Sequence, residues 1–138
     1  QNCYNIFDRT IEQNGLKAMS EKLGKGIICF SPLAQGMLSD RYLNGIPEDS
    51  RVRTDGRFLQ ESRLSDEVLD KIRALNEIAQ GRGQTLAEMA LAWLLKEEVI
   101  TSVLAGASKP SQILDNIKAV ENTSFTKDEI ETIDRISK

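Results

Sequence analysis

Histidine is absent from the 138 residues of the chain. That absence removes three chemistries from it: a Ser-His-Asp triad, a zinc site built on imidazole, and an imidazole general base. Cysteine is scarce as well. Cys3 and Cys29 are too few for a disulfide framework, and their apolar, strand-like surroundings read as buried free thiols, so no metal site is expected. No apolar run nears the roughly 18 residues of a membrane-spanning helix. Gln1 to Asn5 have neither the basic nor the apolar region of a signal peptide, so the expected setting is cytoplasmic with no membrane partner. Charge of one sign is not in excess either: 18 basic and 21 acidic side chains are interspersed, for a net charge of −3. That balance offers no electrostatic footprint for nucleic acid.

What is present suits one globular domain over residues 1–138, with 40% hydrophobic and 28% charged residues and no composition shift along the chain. Gly26 to Phe30 and Thr101 to Ala105 are short apolar runs beside glycines, the pattern of buried strands. Gln1 to Asn5 gives a third, weaker strand signal. Leu16 to Leu23 has helical spacing and stops at Gly24. Ser65 caps a helix with Val68, Leu69, Ile72, Leu75 and Ala79 on its apolar face. Thr85 with Glu88, and Thr126 with Glu129, are capping boxes for two further helices, and Pro110 suits the first turn of a helix through Ile113, Leu114 and Ile117. Between Gly45 and Arg63 the turn-forming, charged sequence predicts a long surface loop carrying Arg51, Arg53 and Arg57.

Alternating strands and helices imply a parallel sheet. A closed (β/α)₈ barrel needs eight strands and typically about 250 residues, so these residues are expected to be a piece of a larger sheet or barrel. An exposed sheet edge would make the chain on its own poorly soluble or self-associating.

In such barrels ligands lie at the C-terminal ends of the strands, with phosphate often held by a loop and a helix N-terminus. Leu104 to Ser111 runs from a strand through small residues into a helix and offers backbone N–H groups, the Ser108 and Ser111 hydroxyls and the Lys109 ammonium. The same residues also serve a tight turn with no ligand. Phe30, Ser31 and the bend through Gly36 place an aromatic ring and a hydroxyl at the other strand end, where Phe30 equally reads as core. Gly81-Arg82-Gly83 follows a helix and lacks a third glycine, so it is no dinucleotide fingerprint.

Ser31-Pro32-Leu33-Ala34-Gln35-Gly36-Met37-Leu38, Arg41-Tyr42, Gly45-Ile46-Pro47, Ser50-Arg51, Gly106-Ala107-Ser108, Gln112 and Asn116 together closely resemble the aldo-keto reductases over nearly the whole chain. The nearest subgroup comprises bacterial glyceraldehyde-3-phosphate reductase-like enzymes and potassium channel β subunits. The resemblance implies an α/β fold, the C-terminal portion (about strands six to eight) of a (β/α)₈ TIM barrel, with NADP(H) as cofactor. It implies that Gln1 holds the nicotinamide carboxamide, Phe30 stacks on the nicotinamide ring, and Ser31, Pro32, Leu33 and Gln35 wrap the pyrophosphate. Arg41 and Arg51 then reach the phosphates, Gly106, Ser108 and Gln112 hold the adenosine 2′-phosphate with Lys109 beside them, and Asp115 and Asn116 lie at the adenine edge.

The family's catalytic Asp, Tyr, Lys and His correspond to positions upstream of Gln1, so no catalytic residue is expected in this chain. Neither Tyr4 nor Tyr42 matches the proton donor, and the chain alone is expected to be inactive. For the intact enzyme the resemblance implies reduction of a small aldehyde or ketone by hydride transfer. The alternative it leaves open is a non-catalytic, NADP-binding interaction module like a channel β subunit.

Overall fold

The computed structural model describes residues 1–46 and 64–138. The loop predicted between Gly45 and Arg63, and Arg51 with it, falls almost wholly outside the described residues. Among those described, the elements in chain order are β1 (Asn2–Cys3), α1 (Thr10–Gln13), α2 (Leu16–Lys22), β2 (Ile27–Phe30), α3 (Asp66–Gly81), α4 (Leu86–Leu95), β3 (Ile100–Leu104), α5 (Pro110–Ile117) and α6 (Lys127–Ser137), with short 3₁₀ turns at Ala34–Gly36, Asp40–Tyr42 and Lys118–Glu121.

 The capping pairs read from the sequence form as expected. Ser65 Oγ accepts from the Val68 amide at 3.4 Å, and Thr85 with Glu88 exchange bonds of 2.9 and 3.2 Å that fix the start of α4, which spans Leu86–Leu95. Thr126 and Glu129 do the same for α6, at 2.7 and 3.2 Å. Each box satisfies amides that the first helical turn leaves without intrahelical partners.

The strands form one parallel sheet in the order β1-β2-β3. Helix α4 packs on β3 and on α3, and α6 closes over α3. Between these layers lie Tyr4, Ile72, Leu75, Met89, Trp93, Leu94 and Ile133, all fully buried. The Trp93 ring lies 5.3 Å from that of Tyr4, with Arg9 5.1 Å and the Lys96 ammonium 3.9 Å from its centroid. Arg82, stacked 3.7 Å over Phe125, ties the end of α3 to the segment before α6 through Glu129 and the carbonyls of Asn122 and Ser124.

Four expectations need correction. The strand signal at Gln1 to Asn5 shrinks to Asn2–Cys3, because the Asn5 backbone turns back onto Asp8 through reciprocal bonds of 3.1 and 3.2 Å. Strand β3 begins one residue early and ends at Leu104. The strands are also not buried on both faces: Ile27 and Cys29 are covered by helices, whereas Ile28, Phe30 and Leu104 on the other face are 40%, 40% and 48% exposed. Side chains alternate across a strand, and among the described residues helices cover one face of this sheet. Cys29 is buried as expected, but Cys3 is only partly so. Helices α2 and α5 likewise turn apolar side chains to solvent, among them Met19 and Leu23 on α2 and Ile113, Leu114 and Ile117 on α5.

Candidate functional site at the strand ends

Because all three strands run in one direction, their C-terminal ends gather on one edge of the sheet. Cys3, Phe30 and Leu104 are in register there. Phe30 ends β2 on the uncovered face, leaving its ring accessible at the strand end. Gln1 lies just before β1 and is exposed, one register step below Asn2 and its partner Cys29. Alternation places it on the same open face as Ile28 and Phe30.

Past Phe30 the chain bends sharply. Ser31, Ala34 and Gln35 have φ values of +53°, +48° and +61°, a region that side-chain-bearing residues avoid at a cost of about 1–2 kcal/mol each. The bend is held by its own bonds: the Ala34 amide donates to the Ser31 carbonyl at 3.1 Å, and Gln35 Nε2 donates to Ser31 Oγ at 3.2 Å. Ser31 and Gln35 are thus brought together, Leu33 packs half-buried against the core, and Pro32 is buried beneath the turn. Arg41 is exposed in the 3₁₀ turn Asp40–Tyr42, where its amide donates to Ser39 Oγ at 3.4 Å.

Past Leu104 the small residues Ala105, Gly106 and Ala107 lead to α5, with Lys109 as its cap residue and Pro110 in its first turn. Here one side-chain oxygen gathers several donors. Gln112 Oε1 accepts from the Ser108 amide at 2.8 Å, the Ser108 hydroxyl at 3.1 Å and the Lys109 amide at 3.1 Å. The capping follows from Gln three positions beyond the cap residue. Asp115 pairs with Lys118 at 2.9 Å, and Asn116, one residue on, is half-buried.

The titrating groups near the ends of β1 and β2 are held in their protonated forms. Burial pushes the Cys3 thiol up to about 11, with Asp8 adding to the shift. Burial likewise raises the Cys29 thiol to about 11. Both are protonated at neutral pH and neither is a poised nucleophile. Tyr4 is raised strongly by burial and by donating its hydroxyl to Glu12, which leaves it no role as an acid. Among the described residues no group of His, Cys, Asp and Glu could hold a metal ion.

A hollow among the described residues lies elsewhere. About 510 Å³ in volume, it is lined by Arg82, Gly83, Gln84, Thr85, Glu88, Lys118, Glu121 and Asn122, none of them a strand-end residue. Arg82, Gln84, Thr85 and Glu88 there are already engaged in the Arg82 network and the Thr85 cap. The strand ends instead form an open shelf. Sequence reasoning found both turns, but it missed Asn5, whose side chain joins the ends of β1 and β2 through a 3.0 Å bond to the Ser31 carbonyl. The signal available was an asparagine just after a strand, where its amide can bond backbone in a turn.

Known proteins resemble this chain along its length. The aldo/keto reductase family matches residues 1–138. L-glyceraldehyde 3-phosphate reductase of Escherichia coli K12 is 45% identical over 138 residues, covering 98% of this chain and 40% of that protein. A putative voltage-gated potassium channel subunit beta of Schizosaccharomyces pombe is 38% identical over 121 residues, covering 86% of this chain and 35% of that one. Among solved structures, the holo form of an aldo-keto reductase from Bacillus halodurans superposes with a TM-score of 0.70 at 27% identity, over 99% of this chain and 41% of that one. A glycerol dehydrogenase from Gluconobacter oxydans gives 0.75 at 25% identity, over 96% and 40%. The chain therefore spans about 40% of the length of these relatives. With a family match from end to end, the chain belongs to the aldo/keto reductase family.

Proposed function

We propose that this chain supplies the C-terminal, NADP(H)-binding part of an aldo-keto reductase, corresponding to about strands six to eight of the (β/α)₈ barrel. The observation that carries the reading is the convergence of the Ser108 amide, the Ser108 hydroxyl and the Lys109 amide on one oxygen, that of Gln112. A point where three donors meet an amide oxygen is chemically suited to a phosphate oxygen, and the flanking Lys109 ammonium adds charge. That chemistry favours a cofactor bearing a 2′-phosphate over one bearing a free hydroxyl.

In this reading Phe30 offers its exposed ring to the nicotinamide and Gln1 its carboxamide to the nicotinamide amide. The turn Ser31-Pro32-Leu33 with Gln35 cradles the pyrophosphate, Arg41 and Arg51 supply charge, and Gly106 lets the backbone approach. Asp115 and Asn116 border the adenine. When bound, the nicotinamide supplies a hydride for reduction of an aldehyde or ketone in the complete protein. The chain's own residues bind and orient, and the proton donor belongs to the part of the family's barrel that precedes Gln1.

Calorimetric titration of the chain with NADP⁺ and NAD⁺ in parallel tests this. Saturable NADP⁺ binding, tighter than NAD⁺ and weakened by Ser108→Ala with Lys109→Ala, which removes the hydroxyl donor and the ammonium, supports it. Equal affinity for the two cofactors would contradict the assignment of the Ser108–Gln112 turn to the 2′-phosphate.

A further inference from the structure

The backbone ladder between β1 and β2 ends with the Tyr4 amide donating to the Phe30 carbonyl at 3.4 Å. The next rung cannot form from backbone, because in this parallel register it would need residue 32 to donate to the Tyr4 carbonyl and Pro32 has no N–H, while the Asn5 amide and carbonyl turn back onto Asp8. The Asn5 side chain makes it instead: Nδ2 donates to the Ser31 carbonyl at 3.0 Å, while Oδ1 accepts from the Phe7 amide at 2.9 Å and the Asp8 amide at 2.8 Å. Asn5 is 3% exposed, so these bonds are shielded from water, and leaving one unmade carries a desolvation cost.

The rung lands on a strained residue. Ser31 has φ of +53°, and Ala34 and Gln35, both past the same bend, are also left-handed. Such backbone persists only where its surroundings over-determine it. The Ser31 carbonyl is fixed by two donors, Ala34 from within the bend and Asn5 from the neighbouring strand end. The Ala34 bond belongs to the bend itself and cannot anchor it to the sheet. The Asn5 bond can, and it decides where the Ser31 hydroxyl and the chain just past Phe30 stand relative to β1.

We infer that Asn5 is a positioning residue for the cofactor shelf: its side chain extends the β1–β2 ladder by one rung and holds the left-handed Ser31 turn in its binding geometry. Asn5 itself need touch no ligand. The inference rests on the cofactor reading above, and it adds a residue two positions beyond β1 that acts through Ser31.

Asn5→Asp separates the two roles of the side chain. A carboxylate still accepts from Phe7 and Asp8 but cannot donate to the Ser31 carbonyl; Asn5→Ser, too short to reach Ser31, serves if the aspartate impairs folding. The expected result is NADP⁺ affinity weakened about fivefold, the worth of one ordinary hydrogen bond. Amide hydrogen exchange at Ala34, whose acceptor is the same carbonyl, should rise by a similar factor, with amides of α3 and α4 unchanged. In a Ser31→Gly background, where the left-handed turn is no longer costly, adding Asn5→Asp should weaken binding less than about twofold. A merely structural Asn5 would lower the melting temperature and give the same penalty in both backgrounds, which overturns the inference. Wild-type Ala34 exchange and wild-type affinity in Asn5→Asp overturn it as well. If the unaltered chain binds no NADP⁺, the cofactor reading fails and takes this inference with it, whereas tight wild-type binding with an indifferent Asn5→Asp removes the inference alone.

Discussion

Gly26 stands just before β2, against Thr101 of β3, and replacing it with alanine should strain the sheet in a calculable way. A Cβ at Gly26 would lie 2.4 Å from Thr101 Cγ2, 2.8 Å from Oγ1 and 3.2 Å from Cβ. Rotation of Thr101 gives little relief. Its two heavy γ substituents occupy the two positions facing Gly26, so any staggered rotamer leaves at least one of those positions filled. The best of them still leaves a contact near 2.8 Å, and the hydroxyl also gives up its 3.3 Å bond to the Ile27 carbonyl. Overpacking of this kind costs about 1–3 kcal/mol, against about 0.4–1 kcal/mol gained by restricting the unfolded chain when alanine replaces glycine. The net is a loss of about 1–2 kcal/mol, which for a domain of this size lowers the melting temperature by about 3–8 °C. Differential scanning calorimetry of Gly26→Ala, Thr101→Ala and the double variant reads it. The double variant should recover most of the loss, because both offending atoms are gone. A Gly26→Ala melting temperature at or above wild type, or no recovery in the double variant, would refute the packing argument.

Three further outcomes follow from the same structure. Cys3 and Cys29, both raised to about 11, should react with iodoacetamide at pH 7.5 at least tenfold more slowly than a model thiol near 8.5, with full reactivity appearing only in denaturant; rapid labelling of folded chain would contradict their environment. Glu97 is partly desolvated, which raises its pKa, but bonds from Lys17 and Lys96 outweigh that and hold its carboxyl below 4.5. Its stabilisation is therefore complete above that value and lost as pH falls through the lowered one. Glu97→Gln should accordingly be less stable than wild type at pH 7, with the difference closing as the solution is acidified toward pH 3 in urea titrations; a gap independent of pH would refute the assignment. The apolar side chains exposed on α5, with those on α2 and the open sheet face, should drive self-association. Sedimentation velocity should then show oligomers that Leu114→Lys with Ile117→Lys reduces, and a monodisperse wild-type monomer would count against it.

The helices and their caps were legible because each signal is local. Thr85 with Glu88 and Thr126 with Glu129 carry their own start marks, and they form as read. The strands were legible as apolar runs, but their burial was not, since what covers a sheet face is set by other elements. That is why Ile28, Phe30 and Leu104 lie open although their sequence reads as buried. At the site, Gly106 to Gln112 showed as a strand-to-helix turn and Phe30-Ser31 as a strand end. Asn5 gave no comparable signal, because its importance comes from the register that sets β1 beside β2. The left-handed Ser31, Ala34 and Gln35 were equally hidden, as none is a glycine and nothing local announces positive φ. They became visible only where the fold holds them.

The proposed cofactor site is the strand-end shelf and not the hollow beside Arg82. Titrating ¹⁵N-labelled chain with NADP⁺ and following backbone amide shifts tests it directly. Saturating shifts are expected at Phe30, Ser31, Leu33, Gly106, Ser108 and Gln112, with Gly83, Gln84 and Glu121 unmoved. Shifts centred on Gly83, Gln84 and Glu121, with the strand ends silent, would contradict it.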